Sequence, residues 1–272
     1  MKGWRDMGAA ELDAAYANAD HIEGAERFPP RWAAEARRFR ARAVAELDRA
    51  APTGAGYDLF LPANEAAGLV VFVHGGYWRA FGKSDWSHLA AGAVATGHAA
   101  AIVGYPLAPG ARLSEITRHV ARAIDHVAGR VGGPIRLAGH SAGGHLVLRM
   151  VMPDAAPDCV GRIATCVPIS PLADLRPLLR SSMNADLCLD ADEAVVESPV
   201  LGRPLPGPRV AVHVGAAERP SFRWQAETLA AEWGVPLRIV PERHHFDVID
   251  DLLDPESALM RDVLHGPRAE AV

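Results

Sequence analysis

Lysine is almost missing from this chain: Lys2 and Lys83 are the only two in 272 residues, and arginine supplies the other positive charges. The arginine excess runs alongside abundant alanine and reads as coding bias, so no function is drawn from it. No Lys/Arg block is dense enough to track a phosphate backbone, and the formal net charge is −5, which argues against a nucleic-acid partner. Cysteine is also scarce. Cys159, Cys166 and Cys188 are odd in number and show no CxxC spacing, which argues against a disulfide framework and a structural zinc site and implies a reducing compartment. The first residues, Met-Lys-Gly-Trp-Arg-Asp-Met, contain no apolar signal segment, and no later apolar run approaches membrane-spanning length. A soluble, cytoplasmic protein with no membrane partner is expected. Internal repeats and low-complexity linkers are lacking too. What remains, 49% hydrophobic and 22% charged residues, suits one α/β domain acting on a small-molecule substrate.

The chain divides into a helical N-terminal extension, 1–50, and a core, 51–272. Residues 8–50 are rich in alanine with charges at helical spacing, interrupted at Phe28-Pro29-Pro30; because proline opens helices but does not sit inside them, two helices are expected there. Short apolar runs of strand length then follow at 57–61, Leu69–Val73, Ala99–Val103, 135–138, Ile163–Ile169, 210–214 and Leu237–Val240. Most are continuously apolar, as strands covered on both faces must be. Between them lie helix-period segments such as 113–127 and 223–233. Alternating strands and helices imply a mostly parallel central sheet covered by helices on both faces, with functional loops at the carboxyl ends of its strands. The stretch 171–208 has several prolines and no clear strand, and is expected to be an excursion that roofs the site.

Gly139-His140-Ser141-Ala142-Gly143 sits between an apolar strand and a helix-like run, Gly144-His145-Leu146-Val147-Leu148-Arg149-Met150. Strand, sharp turn and helix are what a nucleophile elbow needs, and its flanking glycines let backbone atoms approach where side chains would collide. Ser141 is therefore the candidate nucleophile. His74-Gly75-Gly76-Tyr77-Trp78 follows the strand Leu69–Val73. Acyl transfer builds an oxyanion that preorganised donors must meet, and the N–H groups of Gly75 and Gly76, with that of Ala142 after the nucleophile, can supply them. Tyr77 and Trp78 put bulk and aromatic surface beside this hole and are candidate substrate-binding residues.

Twelve histidines make presence alone uninformative, but hydrolases with this elbow run Ser, acid, His along the chain. That leaves His244, His245 and His265, of which His265 stands in a terminal, solvated segment. For the base, His244 and His245 both follow the last strand. For the acid, Glu218 follows the 210–214 strand and Asp174 follows Ile163–Ile169. Asp247, Asp250 and Asp251 read as solvated or helix-capping carboxylates.

With these residues placed, the chain resembles the arylformamidase (kynurenine formamidase) branch of the α/β hydrolases, relatives of the hormone-sensitive-lipase-like esterases. The resemblance rests on His74-Gly75-Gly76-Tyr77-Trp78, Tyr105-Pro106-Leu107-Ala108-Pro109, the Gly-His-Ser-Ala-Gly elbow, Met183-Asn184, Leu187 to Asp190, Ser198-Pro199, Glu218 with Phe222 and Gln225, and His245-Phe246-Asp247. The broader esterases usually carry a third glycine where Tyr77 stands. The segment 170–175, Ser-Pro-Leu-Ala-Asp-Leu, departs from the glycine-containing form of this branch. The resemblance implies an α/β-hydrolase fold, a Ser141–Glu218–His245 triad, an oxyanion hole at Gly75 and Gly76, and cleavage of formyl arylamines or of small-acyl aryl and alkyl esters. Such chemistry needs neither a metal nor an organic cofactor.

Overall fold

The computed structural model describes residues 3–50 and 56–267. Its strands are β1 (Ala45–Ala50), β2 (Gly56–Phe60), β3 (Leu69–Val73), β4 (Ala99–Val103), β5 (Ile135–His140), β6 (Ile163–Ile169), β7 (Arg209–Val210), β8 (Val212–Gly215) and β9 (Leu237–Val240). Helices are α1 (Ala9–Tyr16), α2 (Phe28–Arg40), α3 (Ala91–Ala95), α4 (Leu113–Ala128), α5 (Ala142–Arg149), α6 (Asn184–Leu187), α7 (Ala191–Val196), α8 (Pro220–Trp233) and α9 (Ala258–His265). The sheet order is β1-β2-β4-β3-β5-β6-β8-β9, with β7 paired to β6. From β4 to β9 every pairing is parallel, whereas β1–β2 and β2–β4 are antiparallel.

Strand alternation divides the core in two. Leu69, Val71 and Val73 of β3 pack on the face covered by α4 and α5, while Val70 and Phe72 pack on the face covered by α2, α3 and α9. Both sides of the strand are buried, hence its unbroken apolar run. The helix α4 presents Ile116, Val120, Ala123, Ile124 and Val127 to the first face at helical spacing.

The N-terminal extension departs from expectation. Its helical part ends at Arg40, and residues 45–50 instead form β1 on the sheet edge. Pro29 and Pro30 lie in the first turn of α2, where a missing N–H costs nothing. Helix α1 contributes Leu12 and Tyr16 to one core face and α2 contributes Trp32 and Phe39 to the other. The chain between them therefore crosses an end of the sheet. The expected 210–214 strand is split into β7 and β8 at Ala211, and 171–208 contains α6, α7 and short 3-10 turns without a strand. Among the described residues no helix is long and apolar enough to cross a membrane.

Candidate active site

At the carboxyl end of β5 the backbone turns through Ser141 at φ 55°, ψ −117°, and enters α5. This conformation is strained for any residue with a Cβ and lifts the side chain out of the turn. The turn closes only because its neighbours are glycines. A Cβ on Gly139 would lie 2.2 Å from the Gly143 carbonyl oxygen, and one on Gly143 would lie 2.0 Å from that of Val73. The Ser141 amide donates to the Ile169 carbonyl at 2.9 Å and the His145 amide to the Ser141 carbonyl at 3.0 Å, fixing the elbow on both sides.

His245 lies in the loop after β9, and its Nδ1 donates to Glu218 Oε2 at 2.7 Å. Glu218 follows β8, its side chain is fully buried, and its other oxygen accepts from the Gly215 amide at 2.9 Å and from the Ser170 hydroxyl. With Nδ1 committed to the carboxylate, Nε2 is the nitrogen left to exchange a proton with a nucleophile. Ser141 and His245 line one cavity of about 420 Å³. The imidazole is packed by the Phe222 ring at 4.3 Å and the His140 ring at 4.6 Å. Burial, and next the proximity of His245, pushes the His140 ring well below its ordinary range and keeps it neutral.

The competing assignments fall elsewhere. Asp174 is held by Arg176 in a two-bond ion pair at 2.8 and 2.7 Å. His244 pairs with Asp247 at 3.1 Å and packs edge-on against Phe28, while His265 is exposed. Asp250 and Asp251 pair with Arg31 and Arg243.

The oxyanion loop is tied from behind. His74 Nδ1 donates to the Gly75 carbonyl at 2.7 Å, and the Tyr105 hydroxyl donates to the His74 carbonyl at 2.9 Å with the two rings stacked at 4.3 Å. Burial lowers the His74 pKa to about 4, so this ring too is neutral near pH 7. A Cβ on Gly75 would lie 3.1 Å from that of Ser141, which places the Gly75 backbone against the nucleophile. Gly76 takes φ 110°, open only to glycine. Among the described residues the amides of Gly75, Gly76 and Ala142 have no protein acceptor. Ala142 is moreover the first residue of α5, where the helix dipole adds positive potential.

Tyr77 and Trp78 part company. Tyr77 lines the cavity, with its hydroxyl donated to the Tyr16 carbonyl at 2.7 Å. Trp78 does not line it: the side chain is wholly buried and meets His145 of α5 edge-on, ring centroids 5.1 Å apart. Its expected substrate contact is thus corrected to an anchor between the oxyanion loop and the nucleophile helix. Both residues have positive φ, and the reversal they create sends adjacent side chains to opposite sides. The aromatic wall comes instead from Trp32 of α2, Phe81 and Trp86 of the connection between β3 and α3, and Phe246 after β9, three separate segments. Part of the 171–208 excursion does reach the cavity, through Ser182 and Met183. In the sequence Ser170 stands out only as part of a divergent loop. Its position at the carboxyl end of β6, where site residues gather in parallel sheets, was the available signal for its bond to Glu218.

Residues 70–201 match the family model of the alpha/beta hydrolase fold. A crystal structure from Silicibacter sp. TM1040, assigned provisionally as a thioesterase, is 51% identical and superposes with a TM-score of 0.90, covering 93% of this chain and 99% of that one. The chain belongs to the α/β hydrolases and is a hydrolytic enzyme. Within them it is similar to the kynurenine formamidases: that of Danio rerio is 26% identical, covering 96% of this chain and 97% of its own length. That of Salmo salar is 27% identical, covering 93% and 95%.

Proposed function

We propose that this enzyme hydrolyses N-formyl arylamines, N-formylkynurenine foremost, with Ser141 as nucleophile, His245 as general base and acid, and Glu218 as its orienting carboxylate. The observation that carries this reading is the aromatic wall of Trp32, Phe81, Trp86 and Phe246 in the cavity that holds Ser141. Phe81 and Phe246 offer ring surface to an aryl leaving group, with the buried Trp32 and Trp86 packed behind them. The similarity to kynurenine formamidases along nearly the whole chain supports the same choice.

In the reaction, His245 Nε2 takes the Ser141 proton as Oγ attacks the formyl carbon. The carbonyl oxygen becomes an oxyanion facing the amides of Gly75, Gly76 and Ala142. The C–N bond then breaks while His245 returns the proton to nitrogen, so that a neutral arylamine leaves rather than an anion. Water, deprotonated by the same histidine, attacks the formyl-serine; formate and free Ser141 result.

A second reading, cleavage of small-acyl esters or thioesters, is favoured by the Silicibacter relative's provisional assignment. The two are separated by comparing kcat/KM for N-formylkynurenine, 4-nitrophenyl acetate and acetyl-coenzyme A. The formamide is expected to be turned over with the largest value; undetectable formamide turnover beside efficient ester or thioester cleavage would sink the first reading.

A further inference from the structure

One wall of the cavity comes from neither the elbow nor the oxyanion loop. Asp13, Asn18 and Asp20, from the end of α1 and the crossing that follows, line the same space as Ser141 and His245. This wall is built, not draped. The Arg219 guanidinium donates to the Ala14 carbonyl at 3.0 Å, the Ser221 hydroxyl to that of Ala15, and the Tyr77 hydroxyl to that of Tyr16 at 2.7 Å. The Ser182 amide donates to Asp13 Oδ1 at 2.7 Å. Asn18 is 6% exposed, yet its Oδ1 is buried without a hydrogen-bond partner. A buried acceptor left without a donor carries a desolvation cost that a ligand donor would remove. The wall therefore presents two carboxylates and an unsatisfied amide oxygen. Among the described residues Arg79 is the one guanidinium that lines the cavity, and it is paired with Asp186 at 2.5 Å; Arg219, bonded to the Ala14 carbonyl, lies outside the lining, so the lining itself carries a negative balance.

We infer that residues 13–20 form a cation subsite that selects leaving groups bearing an ammonium, with Asn18 Oδ1 and the Asp13 and Asp20 carboxylates as acceptors. The inference rests on the proposed arylamine-releasing reaction at Ser141 and names the class of substrate within it: aryl compounds with an aminoalkyl or amino-acid side chain. A polyanionic leaving group such as coenzyme A meets repulsion from the same wall.

The test uses the full chain and a pair of esters nearly equal in shape: 4-(2-aminoethyl)phenyl acetate and 4-propylphenyl acetate. The wild type is expected to prefer the cationic ester in kcat/KM by about tenfold at low salt, the preference shrinking as ionic strength rises. Asp20→Asn, at an exposed position where folding is not at stake, should lower the ratio by about threefold to fivefold. Asn18→Ala and Asp13→Asn should each lower it further, chiefly through KM. Glu65→Gln, an exposed carboxylate before β3, should leave the ratio at its wild-type value. A wild-type ratio near one, or a ratio that Asp20→Asn and Asn18→Ala leave unmoved, overturns the subsite. N-formylkynurenine is run in parallel. If it is not hydrolysed while the ester ratio behaves as described, the formamidase reading fails and the cation subsite stands; if it is hydrolysed while the ratio never moves, the reverse holds.

Discussion

Ser170 is where the geometry makes its sharpest demand. Glu218 Oε2 is committed to His245, and Oε1 has two donors, the Gly215 amide at 2.9 Å and the Ser170 hydroxyl. The carboxylate side chain is fully buried, so water does not replace a lost donor. A hydrogen bond to a buried charge contributes about 1.5–3 kcal/mol, and about 1.4 kcal/mol corresponds to a factor of ten in rate. Ser170→Ala is therefore expected to lower kcat by about 10- to 100-fold, the upper end applying if the whole loss falls on imidazole orientation. KM should change little, because Ser170 is not on the cavity wall. Backbone strain is separated from the hydroxyl by a second variant. Ser170 sits at φ 49°, which alanine tolerates no better than serine but glycine adopts freely. Ser170→Gly should therefore melt higher than Ser170→Ala while being equally slow. The assay is steady-state hydrolysis of 4-nitrophenyl acetate beside thermal melts of the three proteins. A Ser170→Ala enzyme within twofold of wild type, or a Ser170→Gly enzyme that regains the lost rate, would refute the reasoning.

Three further outcomes are expected from the same structure. Ser141→Gly should abolish turnover by about 10⁴-fold or more yet raise thermal stability, since it releases a residue held at φ 55°, ψ −117°, a strain on the order of 1–3 kcal/mol; a lower melting temperature would contradict it. Trp78→Ala should cost about 3–5 kcal/mol in urea unfolding, as for other buried tryptophans, whereas Trp78→Phe should leave KM within about twofold; a selective rise in KM would return Trp78 to the substrate. Finally, burial lowers the pKa values of His74 and His88 from 6.5 to about 4 and that of His145 to about 3. Each binds a proton in the unfolded chain before it does so in the native one, so their contribution to stability is complete above pH 6.5 and is lost as pH falls through the window below it. Urea midpoints measured from pH 7.5 to 4.5 should fall with a slope that flattens in His88→Gln; a midpoint independent of pH across that range would refute it.

The parallel strands and the elbow were legible because their signals are local: a two-sided buried strand must be apolar along its length, and a turn as tight as that at Ser141 must be flanked by glycine. β1 was not legible. Ala-Glu-Leu-Asp-Arg-Ala has helix-favouring residues, and its strand state comes only from pairing with β2 at a half-solvated edge. The Glu218–His245 pair could be narrowed by chain order but not chosen by it, because Asp174 also follows a core strand; the difference lies in Arg176, two residues on, which occupies both oxygens of Asp174. Trp78 misled because adjacency to Tyr77 says nothing about side when both backbones are left-handed. The aromatic wall was invisible for another reason: Trp32, Phe81, Trp86 and Phe246 have no common spacing, and only the fold brings them to one surface.

That wall also makes the cavity optically addressable. Trp32 and Trp86 lie 4.6 Å apart between ring centroids and both border the cavity, while Trp78 is sealed in the core. Under the proposed reaction an aromatic ketone held in the cavity sits within energy-transfer range of these indoles, Trp78 included, so occupancy would dim the tryptophan emission. Binding of an aromatic ligand in the cavity could therefore be followed through the intrinsic emission, without a label or a coupled reaction.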